Sequence, residues 1–464
     1  MNEKFLVIRE RFNILLFLGY LLFSILIANV PLGNEELFLI LSYYTFFFFV
    51  LFILNAVMPF KNMRLSGKIV IGYVFFAYVI KSLYVLFYTE NVKAFNQISI
   101  DAVMSNYTLL LPKILIPALS LVIVIWITSS IKKRALYFGQ NFDLKMNKFY
   151  LFIITVLLGK FFIHNYLGWG VPGVEPKNVI PGITGLLTFF VRFPLFCIVN
   201  VFFIFSIQKK SRLYCSLSFF AISLYILIDL LNGSKYSLIY EVFFLIFALY
   251  YSFLLELVRS KTIFIFIAIC IVILPIYKYI NYIRFATMEG VDIITAIEVA
   301  TINVDEKNIT FLDEFINRIN GIEHSIYGLL SNVSNFNFDL TSLFTDQLAV
   351  IYTESVTGIG GIVNSVGASQ IAVIILNSNN YIDSFLLSLV YFSLSFIILR
   401  KMFFYFTSKI LFTKLQSLCL EVMFSLFYIY FLFGTGNFIF FLKEMVVITF
   451  SFFILRLFII NNEN

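Results

Sequence analysis

Ionisable side chains inside long apolar runs are the first residues of this chain that could do chemistry: Lys81, Lys160, His164, Arg192, Asp229, Glu241, Glu421, Lys443 and Glu444. A charge in such a setting costs free energy unless it faces a cavity or a partner, which makes each one a functional-site candidate. Lys160 and His164 are four apart and share one helical face. Arg192 lies just before Pro194, which bends or breaks a helix. Snorkelling to the interface and mutual neutralisation, with Lys443 beside Glu444, are the competing explanations. The turn Asn232-Gly233-Ser234-Lys235 is followed by a new helix at Tyr236. Free N–H groups there, a Ser234 cap and the Lys235 charge would together suit an anion. A plain helical hairpin with Lys235 in solvent accounts for the same residues.

A second group lies in a long stretch between apolar runs. Lys278 and Arg284 sit among Tyr277, Tyr279 and Tyr282, which fits an interfacial belt or a sugar-stacking surface. Thr310 to Asp313 makes a capping box. From it an amphipathic helix over about 311–330 places Leu312, Phe315, Ile319, Ile322, Ile326 and Leu329 on one face. Its polar face groups Glu314, Asn317, Arg318, His324 and Ser325. Such a helix lies on a membrane surface with the apolar face down. Glu314 and Arg318 also have the spacing of a simple i,i+4 pair. The glycines Gly358, Gly360, Gly361 and Gly367 then interrupt a moderately apolar stretch that is either re-entrant or packed against the loop.

The elements that must position these residues follow from composition. Of 464 residues, 61% are hydrophobic and 13% charged, against roughly 25% charged in a soluble domain. Continuous apolar runs of roughly 18 to 24 residues have the length of transmembrane helices, and they lack the alternation of a membrane barrel. They fall at 12–30, 37–59, 69–88, 114–131, 149–167, 184–207, 213–231, 236–258, 262–280, 382–399, 415–433 and 438–460. The expected fold is an all-α polytopic bundle of about 12 spans forming a single membrane domain over 1–464. The first run lacks a small-residue cleavage site and reads as an uncleaved span. Four cysteines, Cys197, Cys215, Cys270 and Cys419, sit in apolar runs without metal or disulfide spacing.

Basic residues alternate sharply between the connections. Lys61, Arg64 and Lys68, Lys132 to Arg134, Lys145 and Lys148, Lys209, Lys210 and Arg212, Arg259 and Lys261, and Arg400, Lys401, Lys409 and Lys414 all belong to one side. The positive-inside rule puts that side, and both termini, in the cytoplasm. The net charge of +7 is then membrane topology, and no nucleic-acid partner is implied. The intramembrane charges other than Glu421 fall in the outer half, so Lys81, Lys160 and Arg192 are expected to line one water-accessible cavity. The stretch 281–381, between the ninth and tenth spans, becomes a large extracytoplasmic loop, and connections of that length are usually functional.

About twelve spans with a large outer loop before the last three, the Gly233-Ser234-Lys235 turn, Arg284 just beyond a span and the Arg318 region resemble the Wzy-type polymerases. These bacterial enzymes polymerise oligosaccharide repeat units into O-antigen or capsular polysaccharide. The resemblance implies a fold related to the GT-C glycosyltransferases and location in the bacterial inner membrane. It implies undecaprenyl-diphosphate-linked oligosaccharides as donor and acceptor, membrane lipids as surroundings, and room for a chain-length regulator as a further partner. The growing glycan would pass from its lipid diphosphate to a sugar hydroxyl of the incoming unit. Arg284 and Arg318 would make forked contacts with the diphosphate, with Lys235, Lys160 or Arg192 holding it from the bundle side. His324 would take the hydroxyl proton, with Glu323 or Glu314 as the fallback base. No metal and no other cofactor is expected, although Glu35-Glu36 in the first outer loop would suit a metal-using glycosyltransferase. The loop between the fifth and sixth spans holds only Lys177, so a two-loop division of donor and acceptor is not carried over.

Two other readings share the topology. An O-antigen ligase would use the same donor on a lipid A core acceptor, but the loop lacks a second histidine. A flippase or transporter for lipid-linked glycan would line an alternating-access path with the intramembrane charges, yet this chain has no convincing internal repeat and a large outer loop. The orientation is directly testable by labelling introduced cysteines in intact cells with an impermeant thiol reagent. A cysteine within 281–381 is expected to react and one within 132–148 to stay protected; the reverse pattern would overturn the topology.

Overall fold

In the computed structural model the residues described are 3–92, 99–130, 142–169, 177–181, 183–231, 235–254, 279, 293–306, 316–317, 321–330, 370–376, 378, 380–407, 414–435 and 438–461. They are helical almost throughout. The first ten helices are α1 (Glu3–Ile27), α2 (Asn34–Val57), α3 (Leu65–Phe75), α4 (Lys81–Phe87), α5 (Ile100–Ser130), α6 (Met146–Asn165), α7 (Ile183–Phe190), α8 (Phe193–Gln208), α9 (Arg212–Leu231) and α10 (Lys235–Leu254). They are followed by α11 (Ile293–Glu306), α12 (Ile322–Leu330), α13 (Gln370–Leu376), α14 (Tyr381–Thr407), α15 (Lys414–Tyr430) and α16 (Phe438–Arg456). Among the described residues, seven helices are long and apolar enough to cross a membrane, and shorter apolar helices occupy Phe12–Ile27, Phe193–Gln208 and Leu238–Leu254. The sixth expected span is broken into α7 and α8 at Val191-Arg192, with Pro194 in the first turn of α8 where its missing N–H does no harm. The ninth expected span, 262–280, lies outside the described residues except Tyr279.

Many large apolar side chains among the described residues are exposed. On α2, Ile40, Tyr44, Phe47, Phe48 and Leu51 are buried while Phe38, Phe46, Phe49 and Ile53 are exposed. A helix that is apolar all round is the signature of a lipid-facing or fully buried segment. Hydroxyls inside these helices bond to their own backbone: Thr45 donates to the Leu41 carbonyl at 2.6 Å, Thr128 to Val124 at 2.6 Å and Ser206 to Phe202 at 2.7 Å. That satisfies them without water. At the start of α2, Glu36 accepts a hydrogen bond from the Gly33 N–H at 3.2 Å, so this carboxylate caps the helix.

The chain divides into two compact units. The first comprises Met1–Arg134, Ile316–Arg400 and Ser425–Ile439; the second comprises Ala135–Phe315, Lys401–Phe424 and Phe440–Asn464. Each unit is assembled from segments far apart in the chain.

In the first unit α5 packs against α2, α3, α12 and α13. Its 31 residues extend about 46 Å at 1.5 Å per residue, longer than a hydrocarbon core of roughly 30 Å. Pro112 and Pro117 lie inside it, and each deletes a backbone hydrogen bond and invites a bend. Trp126 donates from Nε1 to the Met58 carbonyl at 2.8 Å. Between α3 and α4 the helix widens into a π-turn at Phe76–Ile80, and the Tyr44 hydroxyl donates to the Tyr78 carbonyl there at 2.9 Å. In the second unit α8 is buried along its whole length and packs against α6, α7, α9 and α10. A short antiparallel ribbon pairs β1 (Phe142–Leu144) with β2 (Ile459–Asn461), with Asp143 opposite Ile460.

Gly67 of α3 lies where α3 meets α5, and a Cβ there would run into the Ser129 side chain. Small residues at such crossings let helix backbones approach in a membrane. Gly67→Ala is expected to destabilise the protein by about 1–3 kcal/mol, the typical cost of overpacking. Thermal unfolding in detergent reads the loss, and adding Ser129→Gly should recover most of it.

Candidate functional site

Two buried polar clusters stand out, one in each unit. In the first unit Lys81 opens α4 immediately after the π-turn, where one extra residue rotates the following helix by about 100°. Its side chain is fully buried and forms an ion pair with Glu323 of α12, which is 2% exposed. The Gly321 N–H donates to the same carboxylate oxygen at 3.3 Å. Gly321 is seated against the π-turn so closely that a Cβ would collide with the Ala77 carbonyl. The side-chain amide of Asn317 donates to the Asn91 carbonyl at 2.8 Å. Beside this pair Ser82 and Tyr107 share a hydrogen bond, and Tyr44 joins them.

The helix expected over 311–330 therefore has a different setting. Its described parts are Ile316 and Asn317, both helical, and α12, which starts at Ile322 after a bend at Gly321 and packs against α4, α5 and α13. Ser325, assigned to a polar face above the membrane, is buried, as are Ile322, Ile326 and Tyr327. The described side chains from Ile322 to Tyr327 are thus buried against neighbouring helices. Glu323, the fallback base, is an ion-paired group.

In the second unit five helices contribute to one network. Lys160 of α6, 1% exposed, pairs with Asp229 of α9 at 2.6 Å. Its ammonium lies 4.0 Å from the centre of the Tyr225 ring, a cation–π geometry. One turn on, His164 Nδ1 meets the Trp169 carbonyl at 2.9 Å, and Trp169 Nε1 donates to the Lys177 carbonyl at 2.6 Å. The carbonyl partner makes Nδ1 the protonated nitrogen. Glu241 of α10 is fully buried and accepts from the Asn200 amide of α8 at 2.9 Å on both oxygens. Lys160 interacts electrostatically with Glu241 and Arg192 as well as with Asp229. Glu444 of α16 is buried and interacts with Arg192 and the Phe193 backbone at the start of α8, where a helix N-terminus favours an anion.

Lys443 is exposed while Glu444 is buried, so these neighbours point apart and do not neutralise each other. Arg192 is half-buried. Of the three cations expected to line one cavity, Lys81 belongs to the first unit, and Lys160 and Arg192 to the second. Lys160 and Arg192 are also matched by acids, since Asp229, Glu241 and Glu444 accompany them. That arrangement suits a charge-compensated network more than a purely cationic cradle.

Of the remaining candidates, His324 follows Glu323 on α12 and Lys235 opens α10, though their side chains lie outside the described residues, as do Arg284, Glu314 and Arg318 altogether. Sequence reasoning missed Asn200, Tyr225 and Tyr107. An amide in the middle of an otherwise apolar run was the available signal for Asn200, since such groups bond across helices in membranes. Nothing in the sequence marked the two tyrosines among so many aromatic residues.

No family model, curated protein or solved structure matches this chain.

Asp229→Asn would leave the Lys160 ammonium buried with its nearest counter-charge gone. Breaking one side of a buried pair typically costs about 3–5 kcal/mol, so this variant should unfold at a clearly lower temperature in detergent. Lys160→Met in the same chain should recover most of the loss; if it does not, Asp229 has a role beyond pairing Lys160.

Proposed function

We propose that this chain is a Wzy-type polymerase of lipid-linked oligosaccharide repeat units, a glycosyltransferase working at the outer face of the bacterial inner membrane. In this reading the bundle has twelve spans, is related to GT-C enzymes and keeps both termini in the cytoplasm. The observation that carries it is the return of the long connection into the helix bundle. Asn317, Gly321 and Glu323 fasten that segment to α4 and its neighbours, which fits a loop that works on substrate at the membrane rather than a free tether.

The chemistry is substitution at the anomeric carbon of the donor sugar. The acceptor hydroxyl oxygen forms the new glycosidic bond, the bond to the diphosphate breaks, and that group leaves on undecaprenol with the electron pair. His324 takes the hydroxyl proton, and Glu314 is the alternative base. Glu323 is set aside because its carboxylate is joined to Lys81. Arg284 and Arg318 stabilise the departing charge through forked hydrogen bonds.

One observation favours a second reading. The Lys160, Asp229, Glu241, Arg192 and Glu444 network buries opposite charges among five helices, as a pathway through a transporter of lipid-linked glycan does.

Replacing Arg284 or Arg318 with Ala separates the readings. Loss of either should cost about 2–4 kcal/mol of transition-state stabilisation, a rate loss on the order of 10² to 10³. Gels of cell-surface glycan should then show single units in place of long chains, and Lys should rescue only partly because it lacks the fork. Loss of every attached unit would point to a ligase, and lipid-linked glycan trapped in the inner leaflet to a flippase. Full-length polymer at normal protein level in both variants would remove the proposed site.

A further inference from the structure

We propose that Lys81 and Glu323 form a positioning pair for glycosyl transfer, fixing the backbone of α12, the helix that carries His324, at one height and rotation in the first unit. This rests on the polymerase reading. It gives Glu323 a different task from the proton acceptor expected from its sequence neighbourhood, and it gives Lys81 a task where none had been assigned.

Three independent features converge on the pair. The π-turn at Phe76–Ile80 directly precedes Lys81, and π-turns are rare and are found frequently at functional sites. Gly321 fits against the Ala77 carbonyl of that turn with no room for a side chain. The Gly321 N–H and the Lys81 ammonium both bond to Glu323 Oε1. The bend before α12, the first turn of α12 and the start of α4 are thus tied to one carboxylate oxygen.

Energetics favours a positioning role over a stabilising one. Two buried charges recover little more than their own desolvation cost, and an apolar pair of similar volume is often as stable. What an ion pair adds is registry: only one alignment of α12 on α4 brings the two groups together, whereas apolar packing tolerates slippage. Displacing a catalytic group by about 1 Å can cost on the order of 100-fold in rate, so a registry device next to His324 acts on turnover.

The test uses membranes from cells whose own copy is replaced by full-length variants, with turnover normalised to folded protein and donor binding measured separately. Lys81→Met and Glu323→Gln should each lower turnover by about 100-fold, the effect of a misplaced catalytic group, with donor affinity little changed. The reversed pair Lys81→Glu/Glu323→Lys should recover part of the turnover, since it restores the ion pair although a lysine at 323 cannot accept the Gly321 N–H. Where a single variant fails to accumulate, Lys81→Arg and Glu323→Asp replace it; these keep both charges but change the reach, and they must also lower turnover. Unchanged turnover per folded molecule in the single variants would make the pair merely structural and overturn the proposal. A reversed pair as inactive as Glu323→Gln would overturn it too, by showing that the ion pair does not set the alignment on which turnover depends. Failure of the polymerase reading is seen separately: cells lacking the chain altogether would still make full-length polymer.

Discussion

A polar group in this chain has almost no water to turn to, and nearly every local feature answers that constraint. Backbone groups are closed into helices. Hydroxyls bond one turn back, as Thr45 and Thr128 do. The N-terminus of α2 is satisfied by Glu36. Charges that cannot be satisfied within their own helix must find partners on another, and those partnerships hold distant segments together. Lys81 and Glu323 are 242 residues apart in sequence, and Asn200 and Glu241 are 41 apart.

Each unit resolves the constraint differently. In the first, the Lys81–Glu323 ion pair is framed by glycine, serine and tyrosine, and the backbone is adapted to it by a π-turn. In the second, the burden is shared: Lys160 divides its charge between Asp229 and the Tyr225 ring, Glu241 is held by Asn200, and Glu444 sits at a helix N-terminus beside Arg192. A concentrated pair specifies alignment, whereas a distributed network can exchange partners as surrounding groups move. The first suits a positioning device and the second a path or a binding region for charged groups, which is why the two lead to different functional readings.

The break between α7 and α8 shows how backbone and charge cooperate. Pro194 allows a new helix to begin, and the new N-terminus faces Glu444 while Arg192 sits at its edge. A continuous helix over 184–207 would have offered neither the free N–H groups nor the half-buried guanidinium. α8 itself is enclosed on all sides, so the polar groups of its first turns are held by the most buried helix of that unit.

Composition and run length alone determined that this is an all-helical membrane protein, because backbone in hydrocarbon leaves so few alternatives, and the expected spans within the described residues fall on helices. The intramembrane ionisable residues were legible for the same reason: Lys81, Lys160, Asp229, Glu241 and Glu444 are conspicuous in apolar runs. Which of them meet was not legible. Helical periodicity reports the face a residue occupies on its own helix and carries no information on the helix across from it, so the Lys81–Glu323 pair, the separation of Lys443 from Glu444 and the two-unit division appear only in the tertiary structure. The setting of α12 has the same origin. The pattern of α12 is amphipathic in sequence, but its polar residues Glu323 and Ser325 face protein rather than solvent, and an amphipathic pattern reads identically in both settings.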